Sequence, residues 1–265
     1  MVKKLWVTAA VVVILGSLGL LLAQEDREEW EFEQICKDLA SPRKPPNDTE
    51  VVFARIQFTS NGPGRSPFRR RTPCGIWEGW SHDYPVAEQN LTQILHEATR
   101  INTRKDSYVM VRLDSDDIFK YPWGLMSEVG EMTLTDKEVV NLREYLNRGG
   151  FIVVDDFDGP NLEWFQNQMW KVFPDRAFKR LTVDHPIFHT FYDIQTLEMD
   201  PPYRQRGQPA FYGYYDEHGR LCMVLDHNND LGDFWEWIDE PRYDLAASIA
   251  GLRIGVDYFM YALTH

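Results

Sequence analysis

The fold is decided by residues 135–156, which read TDKEVVNLREYLNRGGFIVVDD. Thr135 and Glu138 have the spacing of a capping box, which begins a helix by bonding its first free backbone N–H groups. Gly149 is suited to end that helix, because glycine adopts a left-handed backbone without strain. The run after it is wholly apolar, which is typical of a strand buried on both faces of a parallel sheet. The stretch therefore predicts a helix that leads directly into a central strand ending at Asp155.

The same alternation of helix and strand continues on both sides of this stretch. Further strands are predicted over 51–58 and 108–113, amphipathic helices over 83–101 and 160–173, and a hairpin that joins 210–215 to 220–225. The chain closes on a helix whose apolar side is predicted to carry Leu245, Ile249, Leu252, Val256, Phe259 and Leu263. These elements predict an α/β domain with an open, mainly parallel sheet and helices on both faces.

Composition excludes several classes of protein. The chain has 265 residues, of which 43% are hydrophobic and 26% charged, so it is neither a disordered nor a multi-pass membrane protein. Its net charge of -13 argues against a nucleic-acid-binding protein, since phosphate binding needs an excess of Lys and Arg. We therefore expect a folded acidic domain with no nucleic-acid partner.

The amino terminus predicts the compartment. Lys3 and Lys4 precede an apolar run over residues 5–23, and residues 1–24 are interpreted as a signal peptide or a membrane anchor. Either alternative places the rest of the chain outside the cytoplasm, in the periplasm, because the two lysines favour the cytoplasmic side. Residues 25–50 are acidic and then proline-rich, and we expect a short helix or stalk with a linker before the domain at 51–265.

The three cysteines are Cys36, Cys74 and Cys222, so at most one disulfide can form. An exported protein permits that bond. No spacing typical of a metal finger is present, and we expect the cysteines to be small buried apolar residues instead.

Five short motifs carry a family resemblance. They are Trp80-Ser81-His82-Asp83-Tyr84-Pro85, Gly149-Gly150-Phe151 with Asp155-Asp156-Phe157, Asp184-His185-Pro186-Ile187-Phe188, Asn228-Asn229-Asp230-Leu231-Gly232-Asp233, and Gly255-Val256-Asp257-Tyr258. In this order they resemble the bacterial domain-of-unknown-function family numbered 4159, over about residues 51–265. The resemblance implies a branch of the class I glutamine-amidotransferase-like fold, with a flavodoxin-type open sheet. It also implies an exported or membrane-attached protein whose relatives occur beside membrane proteins with von Willebrand factor A-type domains and MoxR-type ATPases. No activity is established for the family.

A working glutaminase is not expected. Such an enzyme needs a cysteine nucleophile on a tight strand-to-helix turn, with a histidine partner. Here Phe157 occupies about that position, with acids beside it.

Two groups of acids are predicted at the carboxyl-end edge of the sheet, where open parallel sheets bind ligands. Asp114, Asp116 and Asp117 follow one strand, and Asp155, Asp156 and Asp158 follow another. If the two strands are neighbours, these acids and His185 form a candidate catalytic site or hold a divalent cation such as Ca²⁺ or Mg²⁺. The alternative is that the acids cap helices, Asp158 above all, and that His185 only orients its loop. A second acidic group around His227, with Asp226, Asp230 and Asp233, is interpreted as a solvated loop.

The segment 62–73 is rich in arginine, glycine and proline. Its Arg65, Arg69, Arg70 and Arg71, with Trp77 and Trp80, form a candidate binding surface, because arginine and tryptophan are frequent at interfaces. An acidic envelope or membrane protein, or an anionic lipid headgroup, would suit it; the alternative is a solvated loop paired with the protein's own acids.

Two hypotheses of function follow. The first is a non-catalytic binding module of the cell envelope that acts through partners. The alternative is a metal-assisted hydrolase that uses the carboxylates at the edge of the sheet.

Overall fold

The computed structural model describes residues 27, 29–41, 43, 49–64, 71–72, 74–76, 78–200, 206–240 and 243–265. The strands are β1 (Phe53–Gln57), β2 (Arg71–Thr72), β3 (Gly75–Ile76), β4 (Tyr108–Arg112), β5 (Trp123–Ser127), β6 (Phe151–Phe157), β7 (Lys179–Arg180), β8 (Ala210–Tyr215) and β9 (Leu221–His227). The helices are α1 (residues 29–40), α2 (Val86–Ala98), α3 (Asp136–Asn147), α4 (Asn161–Val172), α5 (Leu231–Glu236) and α6 (Leu245–Thr264). Short 3-10 turns lie at Gly79–Ser81, Asp116–Lys120, Val129–Glu131 and Pro186–Phe188.

Seven strands form one sheet in the order β4-β1-β5-β6-β9-β8-β7. The first five are parallel, and β8 and β7 continue the sheet in antiparallel fashion. Numbered along the chain, the parallel strands have the order 2-1-3-4-5, which is that of flavodoxin-type doubly wound sheets. The predicted mainly parallel α/β fold is confirmed.

The sheet is covered on both faces. Every residue of β5, β6 and β9 is buried, which requires packing above and below these strands. The helices form two groups: α2, α5 and α6 contact one another, and α3 contacts α4. The predicted capping box begins α3, with the Thr135 side chain bonded to the Glu138 backbone N–H and the Glu138 side chain bonded back.

Strand β5 was not identified from the sequence. Its residues, WGLMS, follow Pro122 and contain Gly124, and both residue types weaken a strand pattern. A Cβ at Gly124 would lie 2.6 Å from Ile56 Cδ1, so the glycine allows the Ile56 side chain of β1 to pack against β5. Tertiary packing therefore forms this strand where local pattern does not predict it.

The apolar side of α6 differs from the prediction. Leu252, Val256 and Phe259 are buried as expected, but Leu245 and Ile249 are 58% and 39% exposed. Leu263 at the other end of the helix is also exposed. The first turns of α6 are exposed, whereas its middle packs closely against α5. At this contact a Cβ at Gly251 would lie 2.6 Å from Phe234 Cβ.

The expectation of three buried free cysteines is wrong. Cys36 and Cys74 form a disulfide, and Cys222 is buried and free. The bond forms because α1 packs on the domain, where Ile35 enters the hydrophobic core and brings its neighbour Cys36 beside residue 74. Part of the segment expected to be a stalk therefore contributes to the core.

Among the residues that the structure describes, no helix is both long and apolar enough to cross a membrane. The predicted signal or anchor at residues 5–23 lies outside the described residues.

Candidate functional site

A group of ionisable side chains meets at the carboxyl-end edge of the parallel strands. We call it the acidic cluster, and its members are His82, Asp83, Glu128, Asp155, Asp156, Asp230, Asp233 and Glu236. The members come from four segments of the chain. These are the connection from β1 to α2, the residue that follows β5, the end of β6, and the turn from β9 together with α5. This is the edge at which doubly wound sheets bind their ligands.

The part of the cluster nearer to solvent is the outer group, made of His82, Asp156 and Asp230. One ligand atom from each lies within 4.8 Å of the other two. The His82 Nδ1 atom is 2.5 Å from an Asp156 carboxylate oxygen, and the His82 side chain is 36% exposed. Since Asp230 is buried, the histidine is the side of this group that water reaches.

The buried part is the inner group, made of Asp83, Asp233 and Glu236, whose ligand atoms also lie within 4.8 Å of one another. All three residues are buried, with exposures of 7%, 1% and 4%. Glu236 Oε1 accepts a hydrogen bond of 3.1 Å from Arg27, which also pairs with Glu31 of α1. The amino-terminal helix thus contacts the inner edge of the site.

The backbone around the cluster is strained. Asp83, Glu128, Asp156 and Asn228 have positive φ angles of 63°, 53°, 52° and 55°. A residue other than glycine held there costs about 1–3 kcal/mol, and such residues concentrate at functional sites. All four lie at the same edge of the sheet, where the surrounding structure holds their side chains in place.

Asp155 anchors α5, the short helix that carries Asp233 and Glu236. Its two carboxylate oxygens accept hydrogen bonds from the Leu231 N–H (3.0 Å) and the Gly232 N–H (2.7 Å) at the start of α5. Asp230 accepts a further bond from the Asp233 N–H, at 2.9 Å. Burial raises the pKa of Asp155 to about 7, although the hydrogen bonds from the Leu231 and Gly232 N–H groups act to lower it.

Arg55 holds the backbone of His82 in place through a hydrogen bond. It is fully buried on β1, bonds Glu88 at 2.6 Å and donates to the backbone carbonyls of Trp80 (3.2 Å) and His82 (2.5 Å). Because three acceptors hold this one guanidinium, the connection that carries His82 and Asp83 is fixed to the core of the sheet.

The electrostatics of the cluster are strongly negative. Burial raises the pKa of Asp83, Glu128, Asp230 and Asp233, and the charge of neighbouring carboxylates adds to the effect. Burial likewise raises the pKa of Glu236, to about 10. Buried carboxylates without compensating charge must keep protons or gain a cation.

His82 carries the opposite charge. Burial works against its protonated form, but the carboxylates of Asp83 and Asp156 outweigh that effect and raise the pKa of the imidazole well above its ordinary value. A bound cation would replace this proton, since a histidine ligates a metal in its neutral form.

The acids predicted after β4 lie elsewhere. Strands β1 and β5 separate β4 from β6, so the two strands are not neighbours and the two groups of acids do not converge. Asp114, Asp116 and Asp117 instead form ion pairs with Arg112, Lys137 and Lys120. Their side chains are 36%, 78% and 61% exposed.

His185 and Asp158 also lie outside the cluster. His185 Nδ1 accepts from the Ile187 N–H, and its ring lies 6.2 Å from that of Tyr261, which packs on the first residue of β6, at the opposite edge of the sheet. Asp158 does not cap α4 with its side chain, which accepts from the Arg206 N–H instead. Of the predicted site residues, the structure brings together Asp155 and Asp156.

The candidate binding surface is only partly described. Trp80 is 3% exposed, and its indole N–H donates to Glu78, so the 3-10 turn directs this ring into the core and not towards a partner. Arg65, Arg69, Arg70 and Trp77 lie outside the described residues, as does the Arg71 side chain.

Most members of the cluster were not predicted from the sequence. Asp230 and Asp233 were assigned to a solvated loop, which is wrong, because both are buried. The overlooked signal is the spacing of Asp230, Asp233 and Glu236 at every third residue, which places the three acids on one side of a helix. His82 and Asp83 belong to one of the five motifs of the family resemblance, but neither was predicted to be a site residue.

The position expected for a glutaminase nucleophile holds Phe157, which is 2% exposed. Cys222 lies within β9 and not on a strand-to-helix turn, and burial raises the pKa of its thiol to about 12. The other two cysteines are joined in the disulfide.

Fold and site together define a flavodoxin-type α/β domain with a buried acidic cluster at the carboxyl-end edge of its sheet. Residues 75–263 match the family model described as Domain of unknown function (DUF4159), so the chain belongs to this family. The match contains every member of the acidic cluster. No curated protein matches the chain.

Proposed function

We propose that this domain binds a divalent cation at the outer group and acts as a metal-assisted hydrolase outside the cytoplasm. The observation that carries the proposal is the convergence of His82, Asp156 and Asp230, whose ligand atoms lie within 4.8 Å of one another. Three protein ligands with one side open to water are typical of catalytic metal sites.

The donor set favours particular cations. Imidazole nitrogen suits Zn²⁺ and similar transition metals, and carboxylate oxygen suits Mn²⁺, Mg²⁺ and Ca²⁺. A mixed set with His82 therefore favours Zn²⁺ or Mn²⁺ over the Ca²⁺ or Mg²⁺ that the acids alone suggested. The charge of the site supports the same conclusion, because a divalent cation would compensate the buried carboxylates.

The position of the site supports hydrolysis as its reaction. A cation held here would lower the pKa of a water molecule and make it a nucleophile near neutral pH. The half-exposed face of His82 is where substrate and water would enter. Arg55 would keep the histidine in place through its bond to the His82 carbonyl.

The binding-module hypothesis has less support. Trp80, one of its two aromatic residues, is buried and does not offer its ring to a partner. An envelope or membrane protein partner stays a prediction from the sequence and the family resemblance.

Export is part of the proposal. It is supported by Lys3 and Lys4 before the apolar run at 5–23, and by the Cys36–Cys74 disulfide, since such bonds persist in oxidising compartments. A periplasmic reporter fused after residue 265 tests it: activity of an alkaline phosphatase fusion is expected, and activity of only a cytoplasmic reporter would contradict export.

Metal analysis tests the cation. The purified full chain is stripped with EDTA and titrated with Zn²⁺ and with Mn²⁺ by calorimetry. We expect binding that Asp156→Asn and Asp230→Asn weaken at least tenfold. Asp116→Asn is the matched control, because it makes the same change at an exposed acid outside the cluster. No binding of either cation, or equal weakening by the control, would overturn the proposal.

Turnover tests the reaction class. The metal-loaded chain is incubated with p-nitrophenyl acetate and with bis(p-nitrophenyl) phosphate, which report ester hydrolysis at carbon and at phosphorus. Turnover that needs the cation and is lost in Asp156→Asn is expected. A cation that binds without turnover of any ester would leave a metal-binding domain and remove the hydrolase assignment.

A further inference from the structure

We infer that the inner group binds a second divalent cation beside the first, so that the acidic cluster is a two-cation site. The inference extends the proposed function and rests on it for the first cation. Its own residues are Asp83, Asp233 and Glu236, whose ligand atoms lie within 4.8 Å of one another.

The outer and inner groups are adjacent and are built from the same two segments of the chain. His82 and Asp83 are consecutive, and the His82 Nδ1 atom lies 3.6 Å from an Asp83 carboxylate oxygen. On the other side, Asp230 Oδ1 accepts a hydrogen bond of 2.9 Å from the Asp233 N–H. Each group therefore takes one ligand from the β1–α2 connection and one from the start of α5, which places the two sites next to each other.

The inner group contains buried oxygens that accept no hydrogen bond. Among the described residues, Asp233 Oδ2 and Asp83 Oδ1 have no hydrogen-bond partner, and Asp233 is 1% exposed. The other Asp233 oxygen accepts from the Trp237 indole N–H at 3.1 Å, which orients the carboxylate. A buried carboxylate oxygen without a donor is unfavourable, because it has lost its water and gained no partner, and a bound cation would supply that partner.

Asp83 and Glu236 face each other as two acids. Their ligand atoms lie within 4.8 Å of each other. A divalent cation between them would be held by a carboxylate oxygen from each. Arg27 reaches one oxygen of Glu236, at 3.1 Å, and so neutralises only part of the charge of the group.

The chain leaves room for Asp83 at this point. A Cβ at Gly232 would lie 2.1 Å from Asp83 Oδ2, so only glycine lets the carboxylate reach α5. The inner group is thus built by a close approach of two distant segments.

The stoichiometry of Mn²⁺ tests the inference. The full chain is stripped with EDTA, reloaded with Mn²⁺, freed of excess by gel filtration, and measured by elemental analysis and electron paramagnetic resonance. We expect two Mn²⁺ per chain with the spectrum of a spin-coupled pair, because cations in two-metal sites are about 3.5–4 Å apart. Asp233→Asn and Glu236→Gln each keep the shape of the side chain, and we expect each to bind one Mn²⁺ with an uncoupled six-line spectrum.

Asp239→Asn is the matched control, since it alters an exposed acid just after α5 and is expected to leave both cations bound. Circular dichroism of every variant tests whether its fold is retained. The Mn²⁺ content is then compared in whichever of Asp233→Asn and Glu236→Gln is folded. One Mn²⁺ per chain that is lost in Asp156→Asn but kept in the folded inner variant would overturn this inference and leave the proposed function intact. No Mn²⁺ in the wild type would overturn both.

Discussion

Removal of the Cys36–Cys74 disulfide is expected to destabilise the domain by an amount that depends on the length of the loop it closes. The bond closes a loop with a sequence separation of 38 residues. The loop-closure relation for a loop of that length gives an entropy that amounts to about 4 kcal/mol at room temperature. The double variant Cys36→Ser, Cys74→Ser should lose about this free energy of unfolding, because its unfolded chain regains the freedom that the bond removes.

Urea unfolding of the wild type and the double variant measures the loss. For a slope of about 3 kcal/mol per molar urea, the midpoint should fall by roughly 1.3 M. Cys222→Ser is the control variant, because Cys222 is a buried thiol without a disulfide and its replacement leaves the loop closed. Reducing agent should lower the midpoint of the wild type and leave that of the double variant unchanged.

A count of thiols decides whether the reasoning holds at all. The unfolded wild type should react as one thiol before reduction and as three after it. Three reactive thiols in protein purified without reducing agent, or a double variant as stable as the wild type, would refute the argument.

Three further predictions concern the site and its supports. With EDTA present, the unfolding temperature should fall between about pH 4 and pH 7, because burial raises the folded pKa of Asp155 to about 7 while the unfolded acid loses its proton near pH 4; a rise over this range would contradict it. Gly232→Ala should weaken Mn²⁺ binding at least tenfold in calorimetry, since its Cβ would displace the Asp83 carboxylate, and unchanged affinity would be the opposing result. Thr135→Ala should lower the free energy of unfolding by about 1 kcal/mol in urea, through loss of the cap on Glu138, whereas Thr135→Ser should restore most of it.

Local signals predicted the elements that local physics forms. The capping box at Thr135, the apolar run into Asp155 and the hairpin of β8 and β9 depend on neighbours along the chain, and all three are confirmed. Strand β5 and the disulfide depend on distant packing, and neither was identified. Trp80 was predicted to lie on a binding surface because tryptophan is frequent at interfaces. The residue is buried, because the elements packed around it cover its side chain.

The α/β class, the family and the acids after the central strand can all be recognised in the sequence alone. Which of those acids meet depends on how the strands are ordered in the sheet. His82 reaches Asp156 across 74 residues, and Asp155 reaches the Leu231 N–H across 76, because the order of the strands places β1, β5, β6 and β9 side by side. The same order separates β4 from β6 and leaves Asp114 and Asp116 in solvent. Spacing along a chain sets what one helix or strand presents, whereas a site built from four connections depends on strand order, which no local pattern contains.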